Sequence, residues 1–253
     1  MISFLIDSLR WVHILAGAIG LIAFWIPLFM KKGSINHKAV GKIFINAGYI
    51  VVVAGLLVLA LKFTALYESG QTFQSAKAEI TLNLFLGYLC LTTAAILRHG
   101  VLVLSHKKQQ TLHGTFTNYA FSYSCLAGSI GIILFGLIAE PDSAILLYAM
   151  SPVGFITHFK IYAYISGRRT SKQQWWYEHL SALIIAGIAF HTAFAVFGST
   201  RFIDLGLSGT MAIVPWLAPT FVGVPAMIIW ELYYRKKFND PISSRGAKTE
   251  ATA

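Results

Sequence analysis

Trp11–Lys42 reads WVHILAGAIGLIAFWIPLFM followed by KKGSINHKAVGK. The first twenty of these residues, Trp11 to Met30, carry no charge. As a helix they measure about 30 Å, the thickness of a bilayer's hydrocarbon core. A short basic loop follows, with Lys31, Lys32, Lys38 and Lys42 around His37, and a second apolar run starts at Ile43. The stretch therefore reads as one membrane span, a turn on a positively charged face, and the start of a second span.

Composition extends this reading to the whole chain. Of the 253 residues, 56% are hydrophobic and 12% charged, which is outside the range of soluble domains. Apolar runs predict spans at about 9–30, 43–61, 80–104, 116–138, 143–165, 178–198 and 210–232, each near the length a membrane helix needs. The fold class expected is an all-α polytopic helical bundle of seven spans. Residues 1–238 form the membrane domain, and the polar stretch 239–253 is expected to be a disordered cytoplasmic tail. The N-terminus lacks a basic cluster and the first run lacks a small-x-small cleavage site, so span 1 reads as retained.

Lysine and arginine set the orientation, because basic residues resist translocation. One set of connections holds Lys31, Lys32, Lys38 and Lys42, then Arg98, Lys107 and Lys108, then Lys160, Arg168, Arg169 and Lys172, then Arg235, Lys236, Lys237, Arg245 and Lys248. The alternate face has only Arg10, Lys62, Lys77 and Arg201. This strict alternation predicts a bacterial cytoplasmic-membrane protein with its N-terminus outside and its C-terminus in the cytoplasm. The net charge of +10 then follows from topology. It requires no nucleic acid as partner, while the basic face favours anionic lipid. Trp175, Trp176 and Tyr177, and Trp230, Tyr233 and Tyr234, stand where interfacial aromatic belts are expected. Pro152 should kink span 5, and Pro215, Pro219 and Pro225 should kink span 7. Cys90 and Cys125 lie inside apolar runs and define no disulfide frame.

A weak internal repeat is present. Lys31-Lys32 with His37 recurs as Lys107-Lys108 with His113, and more loosely as Lys172-Gln173-Gln174 with His179. It predicts three helical hairpins and a closing helix. The set Trp11-x-His13, Gly17, Lys32-Gly33, His37-Lys38 and Gly41-Lys42 resembles a widespread bacterial family of multi-pass membrane proteins defined by a domain of unknown function. That resemblance covers the first two spans and implies no established activity. A fainter likeness, in arrangement alone, is to membrane cytochromes of the b type, which hold haem between paired histidines.

Histidines inside hydrocarbon are functional hypotheses by default. His99 and His158 fall at roughly 8 and 11 Å from the inner face and form the better candidate pair of haem b ligands. His13 and His191, at roughly 5 and 12 Å from the outer face, form a second pair. Each has a small residue one turn away on its own face: Ala95 for His99, Gly154 for His158, Gly17 for His13 and Gly187 for His191. Arg98 is a candidate partner for a haem propionate or an interfacial snorkel. The blander reading is that each imidazole bonds a neighbouring helix and that the glycines permit close packing. His37, His113 and His179, joined by Glu178 and His106 near the inner face, are candidate zinc ligands, although no HExxH or HxxxH spacing supports them.

Other chemistries have less support. No Asp or Glu lies deeper than the end of a span, which argues against coupled transport and leaves passive flux open. Asn118, Tyr119, Ser122, Tyr123 and Ser124 make the inner half of span 4 polar, enough to line a small cavity or to bond neighbouring helices. Neither a GxSxG elbow nor a glycine-rich phosphate loop occurs. The leading functional expectation is electron transfer through b-type haem with a quinone or redox protein as partner. The alternative is a non-enzymatic passive channel or a lipid- or protein-binding assembly factor.

Overall fold

A computed structural model describes residues 2–107, 110–167, 171–199, 202, 211 and 213–240. It is an all-α bundle: α1 (Ile2–Phe29), α2 (Ile35–Glu68), α3 (Phe73–Leu102), α4 (Phe116–Ala139), α5 (Ala144–Met150), α6 (Pro152–Ile165), α7 (Gln174–Ala193) and α8 (Val214–Lys237). A 3-10 turn at Gln110–His113 precedes α4, and a π turn at Phe194–Gly198 continues α7. Counting α5–α6 as one span, and α7 with its π turn as another, seven helices are long and apolar enough to cross a membrane. The large apolar side chains left exposed, such as Phe4, Trp11, Ile22 and Phe29 on α1, suit a lipid solvent.

The first connection shows why its sequence is built as it is. Pro27 and Leu28 end α1 with carbonyls that have no partner one turn ahead. Lys32 Nζ donates to both, at 2.9 and 2.7 Å. Gly33 then adopts φ +79°, a left-handed conformation that favours glycine. Ser34 caps α2 by accepting from the His37 N–H at 3.2 Å. The His37 ring returns to α1, donating from Nδ1 to the Pro27 carbonyl at 3.2 Å.

The helix break at Pro152 occurs where the sequence predicted it. Proline has no N–H to continue the ladder, so α5 stops at Met150 and Pro152 opens α6. In α8, by contrast, the helix runs on through Pro219 and Pro225, and Trp216 is its only buried side chain among the described residues.

α3 lies at the centre, packed against α2, α4, α6 and α7. The expected pairing holds for α1 with α2 and for α3 with α4. The third hairpin is different: α6 packs on α4 and α3, while α7 packs on α3, α8 and α1. One apolar cluster joins Ala23, Phe44, Leu97, Ala186 and Phe190 across α1, α2, α3 and α7. A second joins Phe85, Ile132, Leu147, Met150 and Trp216.

One sequence expectation needs adjustment at the ends. Tyr177 is buried at 1% exposure, so it is not an interfacial belt residue. Its hydroxyl donates to Asp240 at 3.0 Å, which ties the first residues after α8 to α7. The rest of the expected tail, 241–253, together with Lys108, Arg168, Arg169, Arg201 and Asp204, lies outside the described residues.

Candidate functional site

Glu178 stands on the second turn of α7, which starts at Gln174, and is 7% exposed. It stays near the end of its span, as the sequence reading has it, but is buried between helices. Three helices meet on it. Lys160 Nζ of α6 is 2.7 Å from Oε2, His99 Nε2 of α3 is 3.1 Å from the same oxygen, and Gln174 Nε2 donates to Oε1 at 2.9 Å. A carboxylate only accepts, so His99 donates from Nε2 and its Nδ1 carries the lone pair. Removing these groups from water is costly unless each finds partners, and here each does.

From this centre a line of rings leads to the basic end. The His99 ring is 5.4 Å from that of Tyr164, Tyr164 is 5.3 Å from His113, and His113 is 5.5 Å from the exposed His106. His113 sits outside the spans, is 1% exposed, and its Nε2 has no hydrogen-bond partner among the described residues. Burial, with the nearby His106 and His99 charges, lowers its pKa below the ordinary imidazole value against a backbone hydrogen bond to His106 that raises it. Arg98 holds the Asn118 side-chain oxygen and lies 5.2 Å over the Phe121 ring, while Asn118 Nδ2 donates to the His113 carbonyl at 2.7 Å.

Hydroxyls continue from His99 toward the middle of the bundle. Thr92 and Tyr88 lie on the same face of α3, two and three turns back along the helix. Tyr88 Oη accepts from the Gly154 N–H at 2.7 Å and is 3.2 Å from Ser129 Oγ, which donates to the Ser151 carbonyl at 2.8 Å. Ser122 and His158 exchange two bonds: the Ser122 hydroxyl to the His158 carbonyl at 3.2 Å, and His158 Nδ1 to the Ser122 carbonyl at 3.0 Å. Asn118 and Ser122 on the polar face of span 4 thus tie α4 to neighbouring segments.

The candidate haem ligands are not presented as pairs. His99 faces Glu178, whereas His158 bonds Ser122 and stacks on Tyr162. His13 Nδ1 donates to the Val51 carbonyl at 2.8 Å. His191 has both nitrogens engaged, donating to the Gly187 carbonyl at 2.7 Å and accepting from Trp25 Nε1 at 3.0 Å. The small residues meant to leave a slot are already covered. Phe24 lies against Gly187, and Ser129, Tyr88 and the Cys125 carbonyl lie against Gly154. The cavity beside Ala95, Arg98 and His99 measures about 10 Å³. Each of these four rings thus already has a protein partner.

The zinc constellation is also dispersed. His37 bonds Pro27, His179 Nδ1 donates to the Gly100 carbonyl at 2.7 Å, and His113 keeps company with His106. Among the described residues no group of three His, Cys, Asp or Glu side chains is placed to hold a metal ion. The repeated histidines instead share a structural task, each tying a ring nitrogen to a backbone carbonyl of a neighbouring segment. No signal in the sequence separates Glu178 from an interfacial acid, because its depth depends on where α7 begins. Searches against family models, curated proteins and solved structures find no match to the chain.

Proposed function

We propose that this multi-pass membrane protein is a passive proton conductor, with Glu178 as the buried acceptor and His99 as the group that delivers to it. The observation that carries the reading is a carboxylate inside an apolar bundle, shared by Lys160 and His99 from two other helices. Such groups are costly to keep in hydrocarbon and mark ion or proton paths. The transfer balances without any added reactant. A proton arriving at His99 Nδ1 lets Nε2–H pass to Glu178 Oε2, which leaves His99 neutral in its other tautomer and Glu178 as the acid. The loss of charge on Glu178 loosens Lys160, so arrival of a proton is coupled to a shift between α6 and α7. Tyr164, His113 and His106 supply the approach from the basic end, and Thr92, Tyr88 and Ser129 continue inward.

The basic end is taken as cytoplasmic, in a bacterial cytoplasmic membrane, by the lysine and arginine rule, with anionic lipid around it. Tags at the two termini should then be accessible from opposite sides. For conduction, the protein is reconstituted into vesicles containing a pH-sensitive dye, and a potassium diffusion potential is imposed. Wild-type vesicles should acidify, and Glu178→Gln should slow this at least tenfold while keeping helix content by circular dichroism. Acidification no faster than in protein-free vesicles would overturn the reading.

A further inference from the structure

At the opposite end of α1, α2 and α3 lies a cavity of about 360 Å³, within the range of small-molecule sites. It is lined by charges of both signs: Asp7 and Arg10 from α1, Lys62 from α2 and Glu79 from α3. They are matched in pairs, Arg10 with Asp7 at 2.9 Å and Lys62 with Glu79 at 3.2 Å. The cavity therefore presents two cations and two anions with no net charge. Ser69 and Gln71, from the turn between α2 and α3, add neutral polar groups.

We infer that this cavity binds a zwitterion, a small molecule or headgroup carrying an ammonium and an acid group. The ammonium meets Asp7 while the acid meets Arg10, or equally Glu79 and Lys62, so opening one internal pair leaves no charge unmatched. A ligand of single charge would leave one member of a broken pair facing the cavity alone. The shared chemistry is found in a free amino acid and in a phosphatidylethanolamine headgroup. The site is separate from Glu178: Glu79 and His99 are about 30 Å apart along α3 at 1.5 Å per residue. The inference does not rest on proton conduction.

The test uses the full chain, purified in detergent and stripped of lipid, with two probes and two controls. Thermal unfolding is followed with glycine, with short-chain phosphatidylethanolamine, and with ethylammonium and acetate as single-charge controls. A rise with glycine identifies a free solute, and a rise with the lipid alone identifies a headgroup. In either case Glu79→Gln and Lys62→Gln should abolish the rise, and Glu178→Gln should leave it unchanged. Saturation-transfer NMR with the same probes reads binding directly in any variant of lowered stability. No binding of either zwitterion, equal binding of the single-charge controls, or binding that survives both charge substitutions would overturn the inference.

Discussion

Glu178 on α7 and Lys160 on α6 meet at 2.7 Å, although each helix makes its main packing contacts elsewhere in the bundle. The pair is a tie between two halves of the molecule: α6 belongs with α4, and α7 with α8 and α1. Removing one partner of a buried pair leaves an uncompensated charge, typically a loss of about 3–5 kcal/mol, whereas replacing both with apolar groups of similar size is often neutral. Lys160→Ala should therefore lower stability by about 3 kcal/mol. The double change Glu178→Leu with Lys160→Met should lose clearly less than Lys160→Ala alone. Chemical unfolding in detergent, followed by circular dichroism, measures both; equal losses would show that the pair contributes no tie.

His113 makes stability depend on pH with a definite sign. Its folded pKa is lowered, chiefly by burial, so the unfolded chain takes up a proton at higher pH than the folded one. As pH falls below about 6.5, the unfolded state binds more protons and stability declines; as pH rises through that window the penalty disappears. His113→Leu should remove this component. Unfolding midpoints of wild type and variant between pH 5 and 8 check it, and the two curves should converge least at the acid end.

The seven-span architecture was legible because apolar length and lysine placement are properties of long segments, which single contacts hardly alter. The break at Pro152 was legible for a similar reason, since a missing N–H acts locally. The site was not. Glycine beside an intramembrane histidine reads alike whether the space holds a macrocycle or a phenyl ring, and only the neighbouring helix decides. Phe24 occupies Gly187 from another segment of the chain, and nothing in the spacing of His191 announces it. The burial of Glu178 was not legible because its partners, Lys160 and His99, come from other helices. The repeated histidines were found correctly as a set, but their purpose as ties to carbonyls is invisible without the neighbouring chain.

Protein purified from haem-sufficient cells should be colourless. His191 has both ring nitrogens engaged, and the space beside His99 is about 10 Å³, far below the volume of a porphyrin. An absorbance spectrum of oxidised and dithionite-reduced protein should lack a Soret maximum and an α-band. Their appearance would mean that the helices separate to admit the group, and loss of colour in His99→Ala, His158→Ala, His13→Ala or His191→Ala would then identify the ligands.

Gly154 and Gly131 separate close packing from ordinary helix chemistry. A Cβ at Gly154 would meet the Cys125 carbonyl at 2.6 Å and Tyr88 Oη at 2.9 Å, the oxygen that receives the Gly154 N–H. Backbone and a bonded hydroxyl have little room to yield, so Gly154→Ala should force α6 off α4 and α3 and cost about 1–3 kcal/mol. Gly131, on α4, has nothing within 4 Å of the added atom. There the methyl group restricts only the unfolded chain and improves helix propensity, so Gly131→Ala should be neutral or stabilising by up to about 1 kcal/mol. The displacement at Gly154 should also disturb the Tyr88 and Ser129 hydroxyls that continue from His99. Gly154→Ala is therefore expected to slow proton flux in vesicles as well as lowering the unfolding midpoint, with Gly131→Ala doing neither; equal behaviour of the two variants would remove the Tyr88 network from the path.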